Sequence, residues 1–368
     1  MTSIALFSCV FLLGAICASS GNTLNNRKIY IFIMLTILTL ESGLRGLSVG
    51  SDTTNYYWAF ELHSDLSWDE IWKLFVDRYI NWNGDEDIGF LVYNKVLSYI
   101  TSNFSIYLII CALTFFIPFG RLLTKYTEDF TQLIFIFVLY VVLFNMIAMS
   151  GVRKEIALGA TVAAYMCYIE RRYIFFVLFI ILGTFIHLST LLFLLVPLLG
   201  ILNLNKLRTL HFLMFFTVPL VVLFSGLIII FMGNMVESEK FAQYGEGEAV
   251  GGGLTFMFLL ELISLLCYIA FFKIDAEKDE FFTKLYIVLP CFTFFAPLIT
   301  NNGSMIRISQ YFHLYILLLI PYALDILGSN GNRKFLYVIC ELILIILSIR
   351  TGGGIEYKFI WEDNIPAY

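Results

Sequence analysis

The chain has 368 residues, 60% of them hydrophobic and 14% charged, with a formal net charge of −5 and a mean hydropathy of +0.85. Soluble domains carry about 25% charge, so this composition excludes a soluble globular protein, and no basic face is left to serve a nucleic acid. Open sheets are excluded too, because their edge groups would go unpaired in lipid.

Runs of roughly 20 apolar residues recur along the chain, each long enough to cross about 30 Å of hydrocarbon. They fall near 2–20, 29–44, 104–120, 130–149, 152–169, 173–186, 188–202, 211–232, 254–273, 282–300, 305–328 and 334–350. The pattern predicts an all-α polytopic integral membrane protein with about 10–12 transmembrane helices, one membrane domain over 1–368. Met1 to Ser20 lacks a basic n-region and reads as a first membrane helix. All seven cysteines lie within or beside apolar spans and read as small core residues, not as a disulfide framework.

The first long polar stretch, 45–103, predicts an extracytoplasmic loop bearing interfacial helices. Trp58, Trp68, Trp72 and Trp82 lie in it, four of the chain's five tryptophans. Trp68, Ile71, Trp72, Phe75 and Tyr79 share one helical face, as in a helix lying flat at the membrane surface. Rings with a polar edge suit that interface and the face of a sugar equally. A second outer loop is expected over 233–253, acidic and ending in Gly251-Gly252-Gly253 as a lid would.

The segment 173–202 is broken by Gly183-Thr184 and His187 and reads as two short passes. The even-numbered connections then hold Arg27, Lys28, Arg121, Lys125, Arg171, Arg172, Lys206, Arg208, Lys273, Lys278, Lys284, Arg333 and Lys334. These are 13 of the 23 basic residues. Basic flanks mark the cytoplasmic side, so both termini and both long loops are expected outside the cytoplasmic membrane.

On that reading Arg45, Arg153 with Lys154, and Arg307 lie at the outer ends of helices, where cations are ordinarily scarce. Ionisable groups near a span usually face a bundle interior or a wet cavity, and the planar fork of arginine matches phosphate oxygens. An anionic ligand such as a lipid pyrophosphate fits this arrangement. So does a plainer account, in which each arginine reaches a lipid headgroup or pairs with Asp52 or Glu155.

His187 would stabilise a phosphate, shuttle a proton, or merely bond a carbonyl at the helix break. Asp52 and Asp87 are candidates for a carboxylate base or for helix caps. His63, His211 and His313 read as loop, cytoplasmic-interface and packing residues. Asp85-Glu86-Asp87 looks like the acidic metal motif of nucleotide-sugar transferases, but such donors are cytoplasmic and this loop is expected outside. No metal-ligand spacing or phosphate-binding loop occurs elsewhere, so neither metal nor cofactor is expected.

Five short motifs resemble the EpsG family, relatives of the Wzy polymerases of bacterial surface polysaccharides. Leu44-Arg45-Gly46…Val49-Gly50-Ser51-Asp52…Asn55-Tyr56 resembles the family's Arg-x-x-x-Gly-x-Asp-x-x-x-Tyr region, with a slightly longer Arg-to-Gly spacing. Asp87-Ile88-Gly89-Phe90 resembles Glu-x-Gly-Phe/Tyr with a shorter acid. Ser150-Gly151-Val152-Arg153-Lys154-Glu155-Ile156-Ala157 resembles the Ile-Arg-Gln-x-Ile-Ala helix start. Phe185-Ile186-His187-Leu188-Ser189 resembles Phe-x-His-x-Ser, and Arg307-Ile308-Ser309-Gln310-Tyr311-Phe312 a late Arg-x-x-x-Tyr-Phe.

The resemblance implies a metal-independent membrane glycosyltransferase that polymerises undecaprenyl-pyrophosphate-linked oligosaccharide units on the outer face of the bacterial membrane. It implies catalytic roles for Arg153, His187, Asp52 and Asp87, and substrate contacts from Arg45, Arg307, Tyr56, Tyr311 and Trp58. Besides membrane lipid and the lipid-linked glycan, its implied partners are a chain-length regulator and a flippase. The alternatives are a flippase or exporter of the same glycan, which would need charges through the membrane depth, and a membrane O-acetyltransferase. The isolated Glu261 and Glu341 would favour a transporter.

Overall fold

The computed structural model describes residues 3–81, 83, 87–235, 253–272, 280–301, 305–328, 331–351 and 357–363, and among these it is helical with no strand. In chain order come α1 (Ser3–Ser19), α2 (Leu24–Gly43), α3 (Thr53–Asp65), α4 (Trp68–Tyr79), α5 (Ile88–Ser98) and α6 (Phe104–Tyr126). Then follow α7 (Phe130–Leu143), α8 (Asn145–Ser150), α9 (Val152–Ile169), α10 (Tyr173–Ile186), α11 (Leu195–Leu199) and α12 (Leu204–Met235). The last are α13 (Gly253–Phe272), α14 (Glu280–Tyr286), α15 (Val288–Phe295), α16 (Ile306–His313), α17 (Ile316–Leu327) and α18 (Arg333–Thr351).

Among the described residues, four stretches are long and apolar enough to cross a membrane: Phe104–Tyr126, Leu204–Phe231, Gly253–Phe272 and Phe282–Thr300. A fifth is added if α16 and α17, bent by 49° at their junction, count as one span. The other expected passes fall on apolar helices of 10–17 residues, such as α7 and α10, or on α2, α9 and α18, which carry charges near their ends. The chain is an all-α, multi-pass membrane protein. The expected lid over 233–253 falls largely outside the described residues, as do Trp82, Asp85 and Glu86.

The chain divides into two compact units, one of Met1–Asn81, Asp87–Thr190 and Gly331–Tyr368, the other of Trp82–Glu86 and Leu191–Asn330. In the first, α6 lies between α2 and α9, and α9 packs on α10. Helix starts are set locally: Thr23, Asn103 and Asp129 accept from the backbone N–H three residues on, and Ser67 with Glu70 closes a full capping box on α4. That helix is amphipathic as expected. Ile71 is buried, Trp68, Trp72 and Tyr79 are exposed, and Trp72 stacks on Phe75.

An apolar cluster holds the loop region to the bundle. Leu47, Phe60, Phe90, Tyr107, Val152 and Ile156 form its centre, with Ile186 and Ile360 packed against it. Residues 357–363 lie along the start of the first loop. Gly46 N–H donates to Lys358 O (2.8 Å), Ile360 N–H to Leu44 O (2.9 Å), and the Ser48 backbone and hydroxyl to Asp363.

In the second unit, α13 contacts α17, and α12 contacts α15. His211, expected at the cytoplasmic interface, is fully buried within the second unit. Its Nδ1 lies 2.8 Å from the Tyr286 hydroxyl and its Nε2 2.8 Å from Ser264 Oγ and 3.0 Å from Thr293 Oγ1. Hydropathy places this residue near a span end but cannot show that three hydroxyls from other helices meet it. His313 is a packing residue, its ring centroid 4.3 Å from that of Phe292.

Candidate active site

The first turn of α9 carries Arg153 and Lys154 at the helix end where the backbone dipole is positive. A cation placed there needs a compensating anion, and Asp87 supplies it: Arg153 Nη1 lies 2.5 Å from Asp87 Oδ2. His187 Nδ1 approaches the same oxygen at 3.7 Å, within electrostatic reach but beyond a normal hydrogen bond. Three residues from three separate motifs thus meet in one cluster.

The backbone explains the meeting. Gly89, in the first turn of α5, runs against the Phe185 carbonyl in the last turn of α10, and any Cβ there would collide with it. α10 ends at His187, whose N–H still bonds Gly183 O (2.8 Å), and the Thr190 methyl group lies beside Gly183. The chain therefore turns back after His187, as the break in the apolar run predicts. Gly50, with φ +88°, packs on the Met149 carbonyl, and Ser51 N–H lies 3.4 Å from Ser150 Oγ. That brings the first motif to the start of the Arg153 motif.

Asp52 and Asp87 both occupy N-cap positions, of α3 and α5, yet neither side chain makes a capping hydrogen bond. Capping thus does not account for either. Burial by itself would raise the Asp87 carboxyl, but His187, Arg153 and Arg78 outweigh it and hold the group below the usual carboxylate range. Burial pushes His187 below the ordinary imidazole value, Arg153 and Lys154 add to that, and Asp87 opposes it. At neutral pH the cluster is a carboxylate, a neutral imidazole and a guanidinium. Arg153 keeps 32% of its side-chain surface exposed, so a ligand can reach it.

Arg78, in the last turn of α4, acts on Asp87 electrostatically and was not among the residues singled out by sequence. Its signal was hidden because it sits among the charges of an amphipathic helix.

The remaining candidates have other surroundings in their own units. Arg45 is fully buried: Nη1 donates to Ser42 O (2.5 Å) and Ser42 Oγ (2.8 Å), and Nε to Thr53 Oγ1 (3.3 Å). Glu155, itself buried, is the carboxylate that acts most strongly on it, but no hydrogen bond or ion pair joins the two, and the local partners of this arginine are Ser42 and Thr53. Tyr56 sits edge-on to Phe90 (5.8 Å) against the apolar cluster, and Trp58 packs on Tyr57 (4.9 Å). Arg307, half-buried, and Tyr311, fully buried, belong to α16 in the second unit.

A polytopic helical membrane protein with an Asp–Arg–His cluster built at helix ends is the class these observations define. The EpsG family model matches residues 28–359, nearly the whole chain, and the protein belongs to that family of Wzy-like polymerases. Its role is accordingly that of a glycosyltransferase-like polymerase in exopolysaccharide biosynthesis. No curated protein and no solved structure matches the chain significantly.

Proposed function

We propose that the protein joins lipid-linked oligosaccharide repeat units on the outer face of the cytoplasmic membrane, with an undecaprenyl-pyrophosphate-linked glycan as donor. A hydroxyl at the non-reducing end of a second unit attacks the anomeric carbon of the donor. The bond from that carbon to the pyrophosphate oxygen breaks, and the leaving group departs with the electron pair. Arg153, with Lys154 and the positive end of α9 behind it, offsets the charge developing on the pyrophosphate. No metal is needed for that role.

The observation that carries this reading is the ion pair of a partly exposed Arg153 with Asp87. A pyrophosphate arriving at Arg153 competes with Asp87 for the guanidinium and loosens the carboxylate. Asp87 is then available to accept the acceptor hydroxyl's proton, with neutral His187 beside it. Asp52 remains a proposed catalytic residue that orients or deprotonates the acceptor hydroxyl, Arg45, Arg307, Tyr56, Tyr311 and Trp58 remain proposed contributors to substrate binding, and the aromatic ridge of α4 seats the loop in the lipid interface.

The test is the surface glycan of a deletion strain complemented with wild type or with Arg153→Ala, read together with membrane protein level. Single repeat units on the outer face, with the variant protein present in the membrane, support polymerisation at this cluster. Long polymer in the variant removes Arg153 from the site. Units that accumulate facing the cytoplasm in the deletion favour a flippase.

A further inference from the structure

Helices α2, α6 and α9 leave a groove of about 750 Å³ in the first unit, walled by residues such as Ile31, Leu35, Ile109, Phe116 and Met166. Its polar end carries Lys28 from α2 and Arg121 and Lys125 from α6. Lys125 is engaged by Glu170 at 2.6 Å. Lys28 and Arg121 are exposed and make no ion pair among the described residues. Of the carboxylates on the neighbouring connections, Glu170 also faces Arg172 (3.4 Å) and Asp129 binds Arg333 (2.7 Å), while Glu128 makes no ion pair with Lys28 or Arg121.

The basic end of this groove is set apart from the Arg153 cluster. Met166 in its wall and Arg153 lie on the same helix, 13 residues apart, which is about 20 Å at 1.5 Å per residue. Its cations fall on connections whose charge predicts the cytoplasmic side.

We propose that the groove binds an anionic phospholipid of the inner leaflet, its phosphate held by Lys28 and Arg121 and one acyl chain lying along α2 and α6. Apolar walls alone accept any lipid. Two uncompensated cations at the headgroup end add a charge preference that a zwitterionic lipid does not satisfy, the arrangement by which basic pockets between helices select acidic headgroups. The inference stands independently of the polymerase reading.

The experiment uses the full chain in detergent, incubated with phosphatidylglycerol or phosphatidylcholine of identical acyl chains, with bound lipid read by native mass spectrometry. Wild type is expected to retain phosphatidylglycerol several-fold over phosphatidylcholine. Lys28→Gln with Arg121→Gln abolishes that preference, while Lys28→Arg with Arg121→Lys keeps it. Thr36→Trp, which fills the groove, reduces retention of both lipids. Equal retention by wild type, an unchanged preference in the glutamine pair, or displacement of phosphatidylglycerol by an equal concentration of polyprenyl phosphate overturns the proposal.

Discussion

Asp87 stands where a helix is ordinarily capped, but its carboxylate is turned to Arg153 and His187, and the helix start is left to the Asp87 carbonyl, which accepts from Phe90 and Leu91 N–H. Removing the arginine therefore deletes an electrostatic contact and also strands a largely buried acid. On the proposed mechanism, Arg153→Ala lowers polymer formation by about 10²–10³, the usual effect of losing one stabiliser of transition-state charge. Arg153→Lys, a point charge without the fork, is expected to recover only part of it. Both are measured as glycan chain length at matched protein level.

The same cluster fixes a pH signature. His187 is held below its ordinary value of about 6.5, so the fold favours the neutral ring. As pH falls below about 6.5 the unfolded chain takes up a proton that the folded chain refuses, and stability declines. Asp87 is also depressed, so its contribution is full above its unfolded value and disappears only below about pH 4. Thermal unfolding in detergent should thus show a loss between pH 6.5 and 4 that is smaller in His187→Gln than in wild type. An unchanged slope in that variant would remove His187 as its source.

At the scale of elements, the site depends on how closely α5 and α10 approach. Gly89→Ala puts a methyl group into the Phe185 carbonyl, and overpacking of this kind typically costs about 1–3 kcal/mol. Because the displaced turn carries Asp87, activity should fall further than melting temperature does, whereas Gly21→Ala, which meets no neighbour but strains a backbone at φ +98°, should lower melting temperature and leave activity at matched protein level intact. Hydropathy located most of the helices and the break at His187, since the spacing of apolar residues reports burial in lipid directly. Asp87, Arg153 and His187 stand out in the sequence by their chemistry and by the motifs that resemble the family, but nothing there shows that they meet. Hydropathy could not give depth: Arg45 and Arg153 look alike in sequence, and one is enclosed while the other keeps a third of its surface. Nor could it bring Arg78 to Asp87, because charges on an amphipathic helix read as a solvated face.

At the scale of the molecule, the first loop is held by chain from the far end. Asp363 accepts from the Ser48 backbone and hydroxyl across 315 positions, and Gly46 is pressed against the same carboxylate. Asp363→Ala leaves those donors without this acceptor, while Asp363→Asn keeps the shape. The alanine variant should melt lower and the asparagine variant in between, with protease cleavage within 45–60 rising in the same order.

The apolar cluster that touches α5, α9 and α10 includes Ile360 from this returning segment. A ribosome delivers Leu47, Phe90 and Val152 long before Ile360, so during synthesis the pocket around Asp87 is made of parts that lack their final clasp. The packing around the Asp87 cluster is therefore completed only after α18 has been synthesised, and a chain stalled or cut before Tyr357 would carry Asp87, Arg153 and His187 without the contacts that residues 357–363 add to the first loop.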